Sequence, residues 1–142
     1  MDKQDEALKL LNEIKHINRL IEQLQEQIDI TYTKLTNTTQ KPKEIQVQTS
    51  LPADPMADQV AEIVEYQQQI QEYQLELVQK KSTAIVTLKK MAVENQQIIL
   101  YRYFKGYTIE QIGETTGYTY RWAWEKLHQA EEEFISFFSS ST

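Results

Sequence analysis

Apolar residues recur at steps of three and four between about Glu6 and Thr36. This spacing places them on one face of a helix, in the heptad arrangement that is typical of a coiled-coil seam. The seam that the spacing predicts consists of Leu10, Ile14, Ile17, Ile21, Leu24, Ile28 and Leu35, with Thr31 at the place where the apolar series is broken. Because one helix cannot bury such a stripe by itself, the pattern requires a partner helix.

A second stripe begins at Pro55 and continues to about Val93 without a further proline or glycine. Asp54 is a suitable N-cap residue, and Pro55 suits the first helical position because its missing N–H is not needed there. The apolar positions of this stripe are Val60, Ile63, Tyr66, Ile70, Tyr73, Leu77, Ala84, Leu88 and Met91. The simplest arrangement folds this helix back on the first one as an antiparallel hairpin within one chain, and the alternative is pairing between chains.

The stretch between the two stripes, residues 37–54, contains prolines and β-branched residues but no helical period. It is long for an ordered connection, so we expect a mobile loop. Residues 1–93 are therefore predicted to form a long, coiled-coil-like antiparallel hairpin that this loop interrupts.

The last third of the chain predicts shorter helices separated by glycine-containing turns. Gly106 can close a helix in the left-handed conformation because it has no Cβ. Thr108 can cap the next helix while Gln111 reaches back to it, which is a capping box. Gly117 then ends that short helix, and Thr119 caps a longer one. A short helix, a tight turn and a longer helix form the layout of a helix-turn-helix.

The longer helix has one apolar face and one polar face. At about 100° per residue, the apolar face is predicted to hold Ala123, Leu127, Ala130 and Phe134. A recognition helix uses its N-terminal residues on base edges and phosphates. We therefore expect DNA contacts from Thr119, Tyr120, Arg121, Trp122, Trp124, Glu125, Lys126, His128 and Gln129. In the alternative interpretation, the two tryptophans belong to a local core and Arg121 is a solvated charge.

A supporting helix is predicted over residues 95–105, just before the helix-turn-helix. Arg102 and Lys105 within it are candidate phosphate contacts, or else solvated charges. Together with the two helices that follow, this segment forms the domain predicted over residues 94–142.

These residues also carry a family resemblance. The stretch from Gln97 to Phe134 resembles region 4 of the sigma-70 class of transcription factors, through the sequences RYFKG, TIEQIG and GYT and the pattern A-x-x-x-L-H-x-A. With the long helical part before it, the chain is similar to the small sigma region 4-like regulators of phages and prophages of Gram-positive bacteria, among them the ArpU-type and RinA-type late regulators. The resemblance implies an all-α fold with a C-terminal sigma region 4-like helix-turn-helix domain, promoter binding and activation of late phage genes.

The formal net charge of −6 bears on the expected partners. A DNA-binding domain normally has a basic patch that displaces counterions from phosphates. We therefore expect weak DNA binding per module, strengthened by a homodimer or by bacterial RNA polymerase, or else a helix-turn-helix that binds protein. The expected partners are promoter DNA, RNA polymerase, a second copy of the chain, and regulatory phage or phage-satellite proteins.

Several classes of chemistry are not indicated by the sequence. It contains no cysteine, and its two histidines, His16 and His128, are far apart, so no metal site is predicted. No phosphate-binding glycine loop and no catalytic set occurs in a strand context, so we expect no enzyme activity, no catalytic residues and no cofactor. The acidic run Glu131–Glu133 is interpreted as a solvated helix face. No apolar run reaches the length of a membrane span and no signal peptide is evident, which predicts a cytoplasmic protein without a membrane partner.

Two other functions fit the same pattern. Phage small terminase subunits also join a helix-turn-helix to long oligomerising helices, and they recognise packaging-site DNA. A protein-binding mimic of a sigma factor would use the same domain on RNA polymerase or on another regulator. The size of the assembly distinguishes a terminase subunit from the regulator, because a ring of many subunits favours the terminase and a monomer or dimer favours the regulator.

Overall fold

The computed structural model describes residues 2–40 and 55–140, and the regular structure of these residues is entirely helical. The all-α fold class predicted from the sequence is confirmed for them. The elements are α1 (Lys3–Gln40), α2 (Pro55–Leu88), α3 (Val93–Ile99), a π-helical segment (Leu100–Phe104), α4 (Ile109–Thr116) and α5 (Tyr120–Ser140). The predicted N-cap Asp54 and most of the predicted mobile loop lie outside the described residues.

Helix α1 is longer than the sequence pattern predicts. It begins at Lys3 and continues to Gln40, so residues 37–40 of the predicted loop are helical. Two β-branched residues near this end bond to the preceding turn: the Thr33 hydroxyl donates to the Asp29 carbonyl at 2.9 Å, and the Thr36 hydroxyl donates to the Tyr32 carbonyl at 2.9 Å. Threonine is compatible with a helix in this conformation, so the threonines at this end did not require the helix to stop at Thr36.

Helix α2 ends at Leu88, earlier than the predicted end near Val93. Two tight backbone hydrogen bonds follow, from Lys90 N to Thr87 O and from Met91 N to Leu88 O, each at 3.0 Å. Such bonds over three residues tighten the last turn of a helix. They redirect the chain so that Met91, which is 4% exposed, is buried.

The predicted helix over residues 95–105 is divided in two. Helix α3 starts at Val93, and at Leu100 it widens into the π-helical segment. The Lys105 N–H bonds to the Leu100 carbonyl at 2.9 Å, which is the five-residue spacing of a π-turn. Gly106 follows with φ +74°, so the predicted left-handed closure at this glycine is confirmed.

The chain divides into two compact units. The first comprises Met1–Arg19 and Leu75–Thr142, and the second comprises Leu20–Gln74. Residues 94–142, which the sequence predicts as a domain, lie within the first unit. That unit also includes the start of α1 and the end of α2.

Every helix of the first unit contributes to its core. Asn18 Nδ2 of α1 donates to the Phe104 carbonyl at 2.9 Å, and Lys80 Nζ of α2 lies 3.4 Å from Glu13 Oε1 of α1. Burying an aliphatic or aromatic side chain contributes about 1.5–3 kcal/mol. The largest fully buried side chains are Leu11, Ile14, Thr87, Ile98, Ile99, Ile112 and Phe134.

Among the described residues, the second unit consists of the later part of α1 and the earlier part of α2. Ile28 and Ile70 are buried, and Thr31, at the predicted break in the seam, is only 6% exposed and keeps the period. The predicted seam is otherwise partly correct: Leu10, Ile21, Leu24 and Leu35 are half-buried, Ile14, Ile17 and Ile28 are buried, and Ala7 and Leu11 are buried although the spacing did not select them. The prediction was wrong for Val60, which is 45% exposed.

Candidate nucleic-acid interface

The connection from α4 to α5 is built by local hydrogen bonds that the sequence predicts. The Gln111 N–H bonds to Thr108 Oγ1 at 3.1 Å, and the Thr108 N–H bonds to Gln111 Oε1 at 2.8 Å, so the capping box is confirmed. The Trp122 N–H bonds to Thr119 Oγ1 at 3.1 Å, which confirms Thr119 as the cap of α5. The start of each helix is therefore determined within a few residues of chain.

The turn between these helices depends on two glycines. Gly117 has φ +84°, and its N–H bonds to the Gly113 carbonyl at 2.8 Å. At Gly113 the constraint is space, because an added Cβ would lie 2.8 Å from the Tyr118 carbonyl oxygen. Since that oxygen belongs to the backbone, it can retreat only if the turn itself moves.

We expect Gly113→Ala to destabilise the fold by about 1–3 kcal/mol, because overpacking of a close contact costs this much. Thr115→Ala, an exposed position of α4, is the matched control and should change stability by less than about 0.5 kcal/mol. Chemical denaturation of both variants measures the difference. Equal midpoints for the two would contradict the close approach at Gly113.

The inner face of α5 is the one predicted. Ala123, Ala130 and Phe134 are fully buried and Leu127 is 3% exposed. Because these four positions recur at helical spacing, they orient α5 about its own axis. Tyr120, Arg121, Trp122 and Trp124 of its first turns are exposed.

The outer face of α5 exposes three large aromatic side chains. Tyr120 is 57%, Trp122 is 43% and Trp124 is 44% exposed, so neither tryptophan is local core. The Arg121 side chain is 89% exposed and lies 3.4 Å from Glu125. His128 and Gln129 are also exposed, and His128 lies against the edge of Trp124 at a ring-centroid distance of 3.9 Å. We call Tyr120, Arg121, Trp122, Trp124, His128 and Gln129 the outer face of α5.

Lys126, predicted as a DNA contact, is turned inward. Its side chain is only 14% exposed, and its Nζ lies 3.4 Å from Glu94 of α3. The same ammonium lies 5.8 Å from the centre of the Trp122 ring. The charge of Lys126 is therefore paired with a carboxylate of the protein.

Glu94 joins α3 to the start of α5, and the sequence did not single it out. The Tyr118 hydroxyl donates to Glu94 at 2.7 Å, and the Tyr118 ring meets the Trp122 ring edge-to-face at 6.2 Å. The hydrogen bond from Tyr118, followed by the bond and charge of Lys126, lowers the pKa of Glu94. The same bond, with some burial, raises the pKa of Tyr118. No sequence signal marks this network, because its members become neighbours only on folding.

Glu94→Gln is expected to lower the Tm at neutral pH. The folded-state pKa of Glu94 is depressed, so its stabilisation is present above the unfolded value near 4.5 and is lost as pH falls through the folded value. The Tm difference between wild type and variant should therefore shrink below about pH 4.5. Calorimetry across this range measures it, with Glu110→Gln as an exposed-carboxylate control. A Tm difference that stays constant with pH would contradict the assignment.

The acidic run of α5 is not simply solvated, contrary to the prediction. Glu133 accepts from the Ala92 N–H at 3.2 Å and from Asn95 Nδ2 at 3.0 Å. A carboxylate at this position stabilises the N-terminus of α3. Glu131 accepts from the Tyr103 hydroxyl and lies 3.3 Å from His128 Nδ1. Burial, and then the bond to Glu131, raises the pKa of Tyr103.

The two predicted phosphate contacts on the π-helical segment and just after it have partners of their own. Arg102 donates one N–H to the Tyr107 carbonyl at 2.9 Å. Lys105 is exposed and lies 5.4 Å from the Tyr101 ring centre and 5.8 Å from that of Tyr107. Since cation–π contacts hold an ammonium in place without neutralising it, Lys105 still presents its charge to solvent.

A groove beside the turn carries negative charge. Glu110 and Glu114 of α4 line it together with Gly117, Tyr118 and Tyr120. The two carboxylates are exposed and one turn apart. This part of the surface repels phosphate and suits a basic partner.

Comparisons with family models, with curated proteins and with solved structures gave no match. In residues 2–40 and 55–140, no three His, Asp or Glu side chains are grouped so that they could hold a metal ion. No helix in the same part of the chain combines the length and apolar character that crossing a bilayer requires. The geometry of α3 to α5 is therefore the basis for inferring a function.

Proposed function

We propose that this protein is a phage or prophage transcription regulator that binds promoter DNA through α4, the turn and α5, arranged as a sigma region 4-like helix-turn-helix. One observation carries the proposal. The first turns of α5 expose Tyr120, Arg121, Trp122 and Trp124 while Ala123 and Leu127 are buried. A helix that served only the core would not need these side chains in solvent, whereas a recognition helix uses this position.

The outer face of α5 reads DNA by two kinds of contact. Arg121 bonds bidentately to a guanine, which presents two acceptors in the major groove. Trp122 and Trp124 pack on sugars and on thymine methyl groups. Breaking the ion pair of Arg121 with Glu125 to free the guanidinium costs only about 0.3–0.5 kcal/mol, because an exposed pair at this spacing is weak.

A second contribution to affinity comes from protein partners. The net charge of −6 opposes approach to DNA, so one module binds weakly. Exposed apolar side chains on the outer side of α2, namely Leu75 (69%), Val78 (61%), Ile85 (39%) and Val86 (56%), support contact with a second copy of the chain or with RNA polymerase. Either partner adds affinity by holding the helix-turn-helix close to the promoter.

The long helices pair antiparallel within one chain in this proposal. Glu13, early in α1, meets Lys80, late in α2, which supports that direction. Within the second unit, Leu24 of α1 and Tyr73 of α2 line one groove, which supports the same direction.

The test is a titration of the full-length protein against the DNA upstream of its own gene and against random DNA, each at two salt concentrations. Tighter binding to the first, with a salt-dependent affinity for both, supports the proposal. Indistinguishable affinity for the two DNAs overturns the promoter assignment. Light scattering on the same sample separates the terminase alternative, since that protein assembles into a large ring and a regulator does not.

A protein-binding mimic of a sigma factor is the second candidate, and the groove of Glu110 and Glu114 favours it. Carboxylates beside an aromatic surface suit a basic protein partner better than they suit DNA. In that case the titration shows no DNA binding, and purified RNA polymerase retains the protein on a column. Glu110→Lys with Glu114→Lys then abolishes retention.

A further inference from the structure

One face of α1 gathers positive charge in a protein that is acidic as a whole. Asn12, Lys15, His16 and Arg19 line a cavity of about 200 Å³ on this helix. Their spacing of three and four residues places them on one side of α1. We call these four residues the α1 basic face. This volume is several times the roughly 30 Å³ that one water molecule occupies in the liquid. A tetrahedral anion therefore fits in the cavity.

A fourth basic residue comes from the π-helical segment. Asn18 of α1 donates to the Phe104 carbonyl at 2.9 Å, which brings this segment against α1. Arg102 uses one of its five N–H donors on the Tyr107 carbonyl. Burial, and then the charges of Arg102 and Arg19, lowers the pKa of Lys15, so both guanidinium groups act on this ammonium.

Two carboxylates near this cluster, Glu13 and Glu131, have other partners. Glu13 pairs with Lys80 at 3.4 Å. The charge of Glu131 raises the pKa of Lys15. Glu131 also accepts a hydrogen bond from the Tyr103 hydroxyl and lies 3.3 Å from His128 Nδ1. An anion bound between the cations would relieve their mutual repulsion. Glu131 and His128 both lie on α5, so the carboxylate that acts on Lys15 belongs to the same helix as the outer face.

We propose that the α1 basic face, with Arg102 beside it, is a phosphate-binding site that holds the DNA backbone next to the recognition helix. Lys15, Arg19 and Arg102 supply the charge, and Asn12 and His16 donate hydrogen bonds to phosphate oxygens. The DNA origin of the phosphate rests on the proposed function, whereas phosphate binding itself does not. A contact of this kind positions a protein on the duplex without reading sequence.

The experiment compares wild type with Lys15→Gln/Arg19→Gln. Lys3→Gln/Lys89→Gln is the matched control, because it removes the same charge from exposed positions outside the α1 basic face. In the first arm, affinity for specific and random DNA is measured across salt concentrations. The slope of log affinity against log salt should fall by about two in the test variant, since each lost phosphate contact removes about 0.9. Circular dichroism confirms that both variants remain folded.

In the second arm, inorganic phosphate is titrated at constant ionic strength while the His16 ring resonances are followed by NMR. Saturable shifts in wild type that vanish in the test variant, and persist in the control, support the site. If wild type binds DNA and the test variant keeps the wild-type slope, the DNA contact is overturned. If wild type does not bind DNA, the proposed function fails and the phosphate titration alone tests the site. Saturable shifts would then show that the site binds free phosphate. Their absence would overturn the site.

Discussion

Ile14→Asp is expected to unfold α3 to α5 together with the start of α1, although Ile14 lies far from them in sequence. Its side chain is fully buried in the unit formed by Met1–Arg19 and Leu75–Thr142. Truncating a buried isoleucine costs about 2–5 kcal/mol. The unpaired carboxylate adds the cost of its desolvation. This is a large part of the roughly 5–15 kcal/mol that holds a domain folded.

Both tryptophans of the chain, Trp122 and Trp124, lie on α5, so their fluorescence reports on this unit. Urea denaturation followed by fluorescence should show a lower midpoint, or no folded baseline, for Ile14→Asp. Ile30→Asp is the matched control, because that side chain is 47% exposed and its replacement should leave the midpoint nearly unchanged. A wild-type fluorescence transition in Ile14→Asp would show that α5 folds independently of α1.

Arg121→Ala is expected to weaken binding to the specific promoter by about 1–3 kcal/mol, which is about 5–150-fold in affinity. The side chain is 89% exposed and makes only a surface ion pair with Glu125, so its loss should not unfold the protein. Random DNA should lose much less affinity, because a bidentate contact to guanine carries the discrimination. Fluorescence anisotropy with both DNAs measures the two losses.

Arg121→Lys separates charge from geometry at the same position. Lysine keeps the positive charge but not the planar pair of donors, so it should restore affinity for random DNA and not specificity. Equal losses for the two DNAs in Arg121→Ala would place the guanidinium on a phosphate instead. Unchanged affinity in a folded Arg121→Ala would remove Arg121 from the interface and favour the protein-binding alternative.

The sequence predicts well where the determining contacts are local. The capping box of Thr108 with Gln111 and the cap at Thr119 act over three residues, so the residue types are sufficient evidence. The left-handed turn at Gly117 is equally local. The inner face of α5 also follows from the sequence, because the helical period sorts apolar from polar positions without reference to a partner.

The partners of individual charged side chains became evident only from the tertiary structure. Lys126 has the sequence context of a DNA contact, yet Glu94 on α3 draws it inward. Glu131 and Glu133 form an apparently solvated run, yet they bind Tyr103 and the start of α3. A charged side chain is long and flexible, and the nearest opposite charge determines its direction. That neighbour is usually remote in sequence.

The range over which a contact acts therefore separates the features that residue patterns predict from those that they do not. Periodicity and caps predicted the all-helical structure of the described residues, the start of α5 and the exposure of Arg121, because each depends on residues within a turn or two. Asn18 and Phe104, which bond at 2.9 Å, are 86 residues apart. Only folding brings α1 against the π-helical segment, and so only the tertiary structure placed Arg102 near the α1 basic face.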